Sequence, residues 1–316
     1  MQFKTLSYTG DAVDNRSITG VGFQPELVLI KGPNTTNDGV QRSNGMAGDL
    51  SQFFRGISGA ANLVQALETD GFQIGSSAHV NENLTVHHAV CIRDNATGAR
   101  LKAGTYTGNG VDSRSITGVG FAPDLVVIKR DGASAGVWRC NIEAGDTSHR
   151  FVEADGSDLI QALEADGFQV GLNARVNGNT FTYYWWAMKL NVNVSLDTLS
   201  YTGNGVDNRS ITGLGMDLTG ANAYAWVNQD AAVSDVHRSD TMSGDISAYW
   251  SNLASVAGRI KALEADGVQV GLNADVNGNL LVYHLVGWKV EAALTVPEMM
   301  AASQGGAQPA MIPVGV

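Results

Sequence analysis

Tyr8–Gly22 reads YTGDAVDNRSITGVG, and nearly the same string returns at Tyr106–Gly120 (YTGNGVDSRSITGVG) and at Tyr201–Gly215 (YTGNGVDNRSITGLG). A second block keeps step with it: LETDGFQIG from Leu67, LEADGFQVG from Leu163 and LEADGVQVG from Leu263. A third follows each time, AHVNENLTVHH from Ala78, ARVNGNTFTYY from Ala174 and ADVNGNLLVYH from Ala274. A fainter block, V-x-R-[SC]-x-x-x-x-G-D, lies between the first two at Val40–Asp49, Val137–Asp146 and Val236–Asp245. Four blocks in one order make the chain three tandem copies, near 1–101, 102–196 and 197–294, with a tail or docking arm over 295–316. A period of about 95 residues is too long for a solenoid unit, so each copy is expected to own a core.

Within a copy the pattern is β. Residues 26–31 (ELVLIK) and 124–129 (DLVVIK) are short branched runs bounded by Gly and Pro, which predicts buried strands. The FQ-[IV]-G segment and the stretch after the asparagine turn predict a hairpin. Asn177-Gly178 and Asn277-Gly278 would supply its positive φ angles, and Asn81-Glu82-Asn83 a looser turn. Apolar spacing over Leu63–Leu67, Leu159–Leu163 and Ile260–Leu263 predicts one or two helical turns ending at the Asp-Gly. The expected class is all-β: three tandem antiparallel β-sandwich (jelly-roll-like) domains, each with at most one short helix.

Composition narrows the partners. The 316 residues hold 38 glycines but six prolines, which points to turns between strands rather than a disordered linker. Lys+Arg number 20 against 31 Asp+Glu, a net −11, which disfavours nucleic acid and anionic lipid. The opening MQFKTLSYTG lacks a signal-peptide apolar region and no long apolar run follows, so neither export nor a membrane is expected. Cys91 and Cys140 are too few for a disulfide framework or a metal cluster.

The copies also serve as internal controls: what all three keep is scaffold, and what they vary is where a specific task can lie. Asp14-x-Arg16, Asp112-x-Arg114 and Asp207-x-Arg209 are kept, and read as structural braces in which a guanidinium holds its neighbouring carboxylate. Arg42/Asp49, Arg139/Asp146 and Arg238/Asp245 read the same way. Cys91 matches Ala187 and Gly287, and Cys140 matches Ser43 and Ser239, so both fill small slots. His87 and His88 match Tyr183-Tyr184 and Tyr283-His284; neighbours on a strand face opposite ways and cannot share a metal. Neither metal nor cofactor is expected.

Aromatic side chains vary more. Trp138 stands where the other copies have Gln41 and His237, and Phe53-Phe54 and Tyr249-Trp250 stand where the second has Arg150-Phe151. Phe53, Trp138, Tyr249 and Trp250 are the candidate glycan or partner contacts, with packing between copies as the competing explanation. Catalytic signatures such as G-x-S-x-G, the P-loop and H-E-x-x-H are missing, and no acidic residue stands out as unique to one copy. An enzyme is not expected.

The string Y-T-G-N-G-x-D-x-R-x-I-x-G-[VL]-G-F-x-P-[DE]-L-V-x-I-K, followed by D-G-F-x-[IV]-G and an aromatic strand, resembles a repeat module in structural proteins of tailed bacteriophages and phage-derived gene transfer agents. Residues 8–31, 71–75 and 84–93 carry it, as do 106–129, 167–171 and 180–189; the third copy departs after Gly215 at MDLTGANAYAWVNQD. The resemblance implies a virion exterior protein made in the host cytoplasm: a head spike, capsid decoration or tail fibre mediating host attachment. Its implied partners are other virion proteins and further copies of itself. A fibre adhesin would add host surface polysaccharide, and a capsule depolymerase is the remaining alternative.

Overall fold

The computed structural model describes residues 1–34, 37–94, 100–189, 194–230 and 234–290; the tail expected over 295–316 lies outside them. Among the described residues no helix is long and apolar enough to cross a membrane. The first copy builds β1 (Gln2–Thr9), β2 (Arg16–Thr19), β3 (Leu27–Lys31), β4 (Val40–Ser43), β5 (Gln52–Phe53), β6 (Val64–Glu68), β7 (Gly71–Ile74), the single-turn helix α1 (Ala78–Asn81) and β8 (Val86–Arg93). These form two antiparallel sheets, a large one ordered β1-β8-β3-β4-β5 and a small one ordered β2-β7-β6. The second and third copies repeat the plan with one six-stranded and one three-stranded sheet each, so the protein is an all-β chain of tandem sandwiches.

Why β3 is apolar from Leu27 to Ile30 now has a cause. All five of its residues are buried, because both faces of the large sheet are covered. Val28 and Ile30 point into the first copy's own core with Phe72, Ile74 and Val80. Leu27 and Leu29 point the other way, into a core that all three copies share. Successive side chains of a strand alternate faces, so a run without polar interruption is what double-sided burial requires.

The repeated blocks meet in space. Asp70, in the two-residue turn between β6 and β7, accepts the Gly20 and Gly22 amides at 3.1 and 2.5 Å. Asp166 does the same for Gly118 and Gly120, and Asp266 for Gly213 and Gly215. The kept Asp-Gly and the kept Thr-Gly-[VL]-Gly are thus two halves of one bonded corner.

Two local expectations are overturned. Val64–Glu68, Ile160–Glu164 and Ile260–Glu264 are strands, not helical turns. A register shift between Val64 and Ala66 recurs at Ile160/Ala162 and Ile260/Ala262; the bulge changes which face follows, giving a strand helix-like apolar spacing. Nor does the asparagine turn close a hairpin. β7 pairs with β2 and β6 while β8 pairs with β1 and β3, so the chain crosses between sheets there. Asn277 ends a single-turn helix, α2 (Ala274–Asn277), and Gly278 has φ −58°. Positive φ falls later, at Leu84 (59°), Thr180 (70°) and Leu280 (62°).

The three large sheets turn their outer faces to one another around the shared core. Corresponding residues fill it: Leu29, Val127 and Trp226; Val90, Trp186 and Val286; Phe54, Phe151 and Trp250. Phe54 touches both its counterparts, with ring centroids 4.6 Å from Phe151 and 4.1 Å from Trp250. Around them runs a closed circuit of backbone hydrogen bonds. Gly39 donates to Trp250, Trp250 to Asp235, Asp235 to Phe151, Phe151 to Gly136, Gly136 to Phe54 and Phe54 to Gly39, at 2.8–3.3 Å. Gly39, Gly136 and Asp235 occupy one repeat position, so the circuit visits the copies with pseudo-threefold symmetry and returns to its start.

Candidate functional site

The aromatic candidates lie inside the protein. Trp138 is wholly buried in the shared core and donates from Nε1 to Asp235 Oδ2 at 2.9 Å. Trp250 lies in the same core, its ring stacked on His237 at 4.0 Å. Phe53 is buried in the first copy's own core against His79, and Tyr249 in the third copy's, with its hydroxyl 2.5 Å from Asp275 Oδ2. The expectation that these rings face a glycan is corrected: packing within and between copies uses them, and no ring face is left for a sugar.

The braces exist but are wired differently. Arg16, Arg114 and Arg209 each donate to a threonine carbonyl of their own block (Thr9, Thr107, Thr202) at 2.6–2.7 Å. Each guanidinium also lies over its block's opening tyrosine, 5.4–5.8 Å from the ring centre. Asp14 and Asp112 instead accept from Gln65 and Gln161, and Asp207 from Lys261. Arg42, Arg139 and Arg238 hold loop carbonyls such as Gly48, Gly145 and Gly244, while Asp49, Asp146 and Asp245 cap the next turn's amides. Both motifs tie separate strands and turns of one copy together, not Asp to its neighbouring Arg. The two cysteines are buried, and burial raises both thiols far from the thiolate that a nucleophile needs. His87 and His88 do face opposite ways, His87 stacked on Tyr8 and His88 hydrogen-bonded through Nδ1 to Thr241 Oγ1 of the third copy at 2.8 Å.

One constellation escaped the sequence reading. Where the second copy meets the third, Glu143 Oε1 lies 2.9 Å from His149 Nε2 and 2.8 Å from His284 Nδ1. The other nitrogens of the same rings meet carboxylates: His149 Nδ1 is 2.7 Å from Asp155 Oδ2, and His284 Nε2 is 2.9 Å from Asp230 Oδ1. The imidazoles lie 4.3 Å apart, and the Asp155 amide donates to the Asp230 carbonyl at 3.3 Å. Glu143, His149 and Asp155 are almost fully enclosed, whereas the Asp230 side chain is 49% exposed, so the cluster opens to solvent on one side.

Electrostatics follow from the geometry. Burial opposes charging His149, but Asp155 and Glu143 outweigh it and push its pKa up to about 9. His284 is raised likewise, burial being overcome by Asp230 and Glu143. Burial would raise Glu143, yet the two imidazoles hold it well below the usual carboxylate range. Burial and the nearby Asp230 raise Asp155 despite His149. Deeper in, burial pushes Asp235 up to about 8 against the hydrogen bond from Asn228. One atom each from His149, Asp230 and His284 lie mutually within 4.8 Å, and the same holds for Cys140, Glu143 and His149. These are donor sets that suit a cation.

The corresponding positions at the other two junctions differ. Met242, Ala248 and His88 stand where the third copy meets the first, and Met46, Gln52 and Tyr184 where the first meets the second. Contrary to the sequence reading, Glu143 is therefore an acid peculiar to one copy. The signal was present, since Glu143 replaces methionine inside the V-x-R-[SC] block, at a position compared only for what the copies keep.

A family of domains of unknown function (DUF7483) matches residues 97–198, a span that brackets the second copy. No curated protein matches the chain.

Proposed function

We propose that the chain is a non-enzymatic structural protein on the exterior of a phage-like particle, of the head-spike or capsid-decoration kind, made in the host cytoplasm and serving attachment to the host. The closed pseudo-threefold circuit carries this reading. A single chain that folds as its own trimer offers a three-lobed body to a symmetric site, and its aromatic side chains are spent on holding that body together. The net −11 suits a surface component that must not adhere to packaged nucleic acid. Its partners on this reading are other virion proteins and further copies of itself.

The same end of each copy offers a mating surface. Val13 and Leu84 in the first copy, Val111 and Phe181 in the second, and Val206 and Leu280 in the third are exposed apolar side chains on adjoining loops. Leu84 and Leu280 are 82% and 78% exposed while held at φ 59° and 62°, a conformation that disfavours leucine. Electron microscopy of particles with and without the protein tests the reading. Loss of a discrete external density is expected; particles of unchanged outline would refute it.

A further inference from the structure

We propose that His149, His284 and Asp230 bind one divalent transition-metal ion of the zinc class, joining the second copy to the third. Two imidazoles and a carboxylate converge there from two copies: one donor atom each of His149, His284 and Asp230 lies within 4.8 Å of the others, with Asp230 beside His284 Nε2 and Asp155 beside His149 Nδ1. Mixed nitrogen and oxygen donors favour zinc-like ions over calcium or magnesium, which prefer oxygen alone.

Glu143 completes the case. Its Oε1 lies in ion-pair contact with the far nitrogen of both rings, 2.9 Å from His149 Nε2 and 2.8 Å from His284 Nδ1. A carboxylate on the remote N–H fixes a metal-binding histidine's tautomer and orientation, and here one carboxylate does so for both. The half-exposed Asp230 gives the ion a way in. The exchange balances: two N–H protons leave His149 Nδ1 and His284 Nε2 for solvent, two nitrogen–metal bonds form, and one doubly charged ion replaces two single charges. The other junctions act as built-in controls, for with methionine at the Glu143 position neither assembles this set.

The test is independent of where the protein works. Calorimetric titration of the full chain at neutral pH with Zn²⁺ is expected to give one ion per chain, with heats that vary with buffer as protons are released. Co²⁺ is expected to add visible absorption bands of a nitrogen-containing site. Asp230→Asn, on a half-exposed side chain, should weaken Zn²⁺ at least tenfold, Glu143→Gln about 10–100-fold, and His88→Gln at the other junction not at all. The absence of Zn²⁺ uptake by the unmodified chain would overturn the proposal, as would uptake that Asp230→Asn and His284→Gln leave unchanged, or Ca²⁺ displacing Zn²⁺ at equal concentration.

Discussion

The Gly39 amide donates to the Trp250 carbonyl at 3.0 Å, and the Trp250 indole lies so close that a Cβ on Gly39 would fall 2.4 Å from its Cε3. This is where the third copy closes back on the first. Gly136, at the same repeat position, leaves slightly more room, with Phe151 at 3.0 Å from such a Cβ; the third copy tolerates Asp235 there.

Gly39→Ala therefore has to displace an indole packed between two copies. A loss of about 1–3 kcal/mol is expected in urea unfolding, with Gly136→Ala costing less. Because the shared core links all three copies, the loss should appear in one cooperative transition. A separate early step in which one copy unfolds alone would contradict the closed circuit.

At the charged junction, Glu143→Met removes the carboxylate that faces His149 Nε2 and His284 Nδ1. The expected cost is about 3–5 kcal/mol for breaking a buried ionic set by removing one member. Adding His149→Ala recreates the Met242, Ala248 and His88 combination of the neighbouring junction, and the double variant is expected to be more stable than the single. A double-mutant cycle in denaturant measures the coupling; strictly additive losses would count against it.

Acid should weaken the protein through His87 and His88. Burial holds both rings down to about 4; Lys31 adds to this for His87 and Arg238 for His88, while Glu82 and Asp240 pull the other way. An unfolded chain takes up these protons near pH 6.5 and the folded one does not until about 4. Their contribution to stability is thus present above pH 6.5 and is lost as pH falls through the window to about 4. Denaturation midpoints of His88→Gln should vary less between pH 7.5 and 5 than those of the unmodified protein, and parallel pH profiles would refute the assignment.

Leu84→Asn and Leu280→Asn test the exposed ends. Asparagine tolerates positive φ better than leucine, so each change should raise stability, by up to about 1 kcal/mol. Incorporation into particles should fall if these side chains meet a virion partner. Full incorporation of the double variant would remove this surface from the proposed function.

How legible all this was depended on what a single copy can reveal about itself. The strands Leu27–Lys31 and Leu125–Arg130 were readable because an unbroken branched run has few alternatives. Leu63–Leu67 misled because the bulge after Val64 resets the alternation on which a strand is recognised. Trp138 and Trp250 looked like contact residues because their covering comes from another copy. Glu143 and His284, far apart in the chain, became partners only once the ring had closed.

That closure also governs stoichiometry. A homotrimer of identical subunits repeats each substitution at every interface, so an ionic cluster off its axis would come in threes. With the copies fused in one chain, Glu143 faces His284 at a single junction while methionine holds the matching place at the others. Each three-lobed body therefore carries one such cluster, a fixed mark that tells its otherwise similar sides apart.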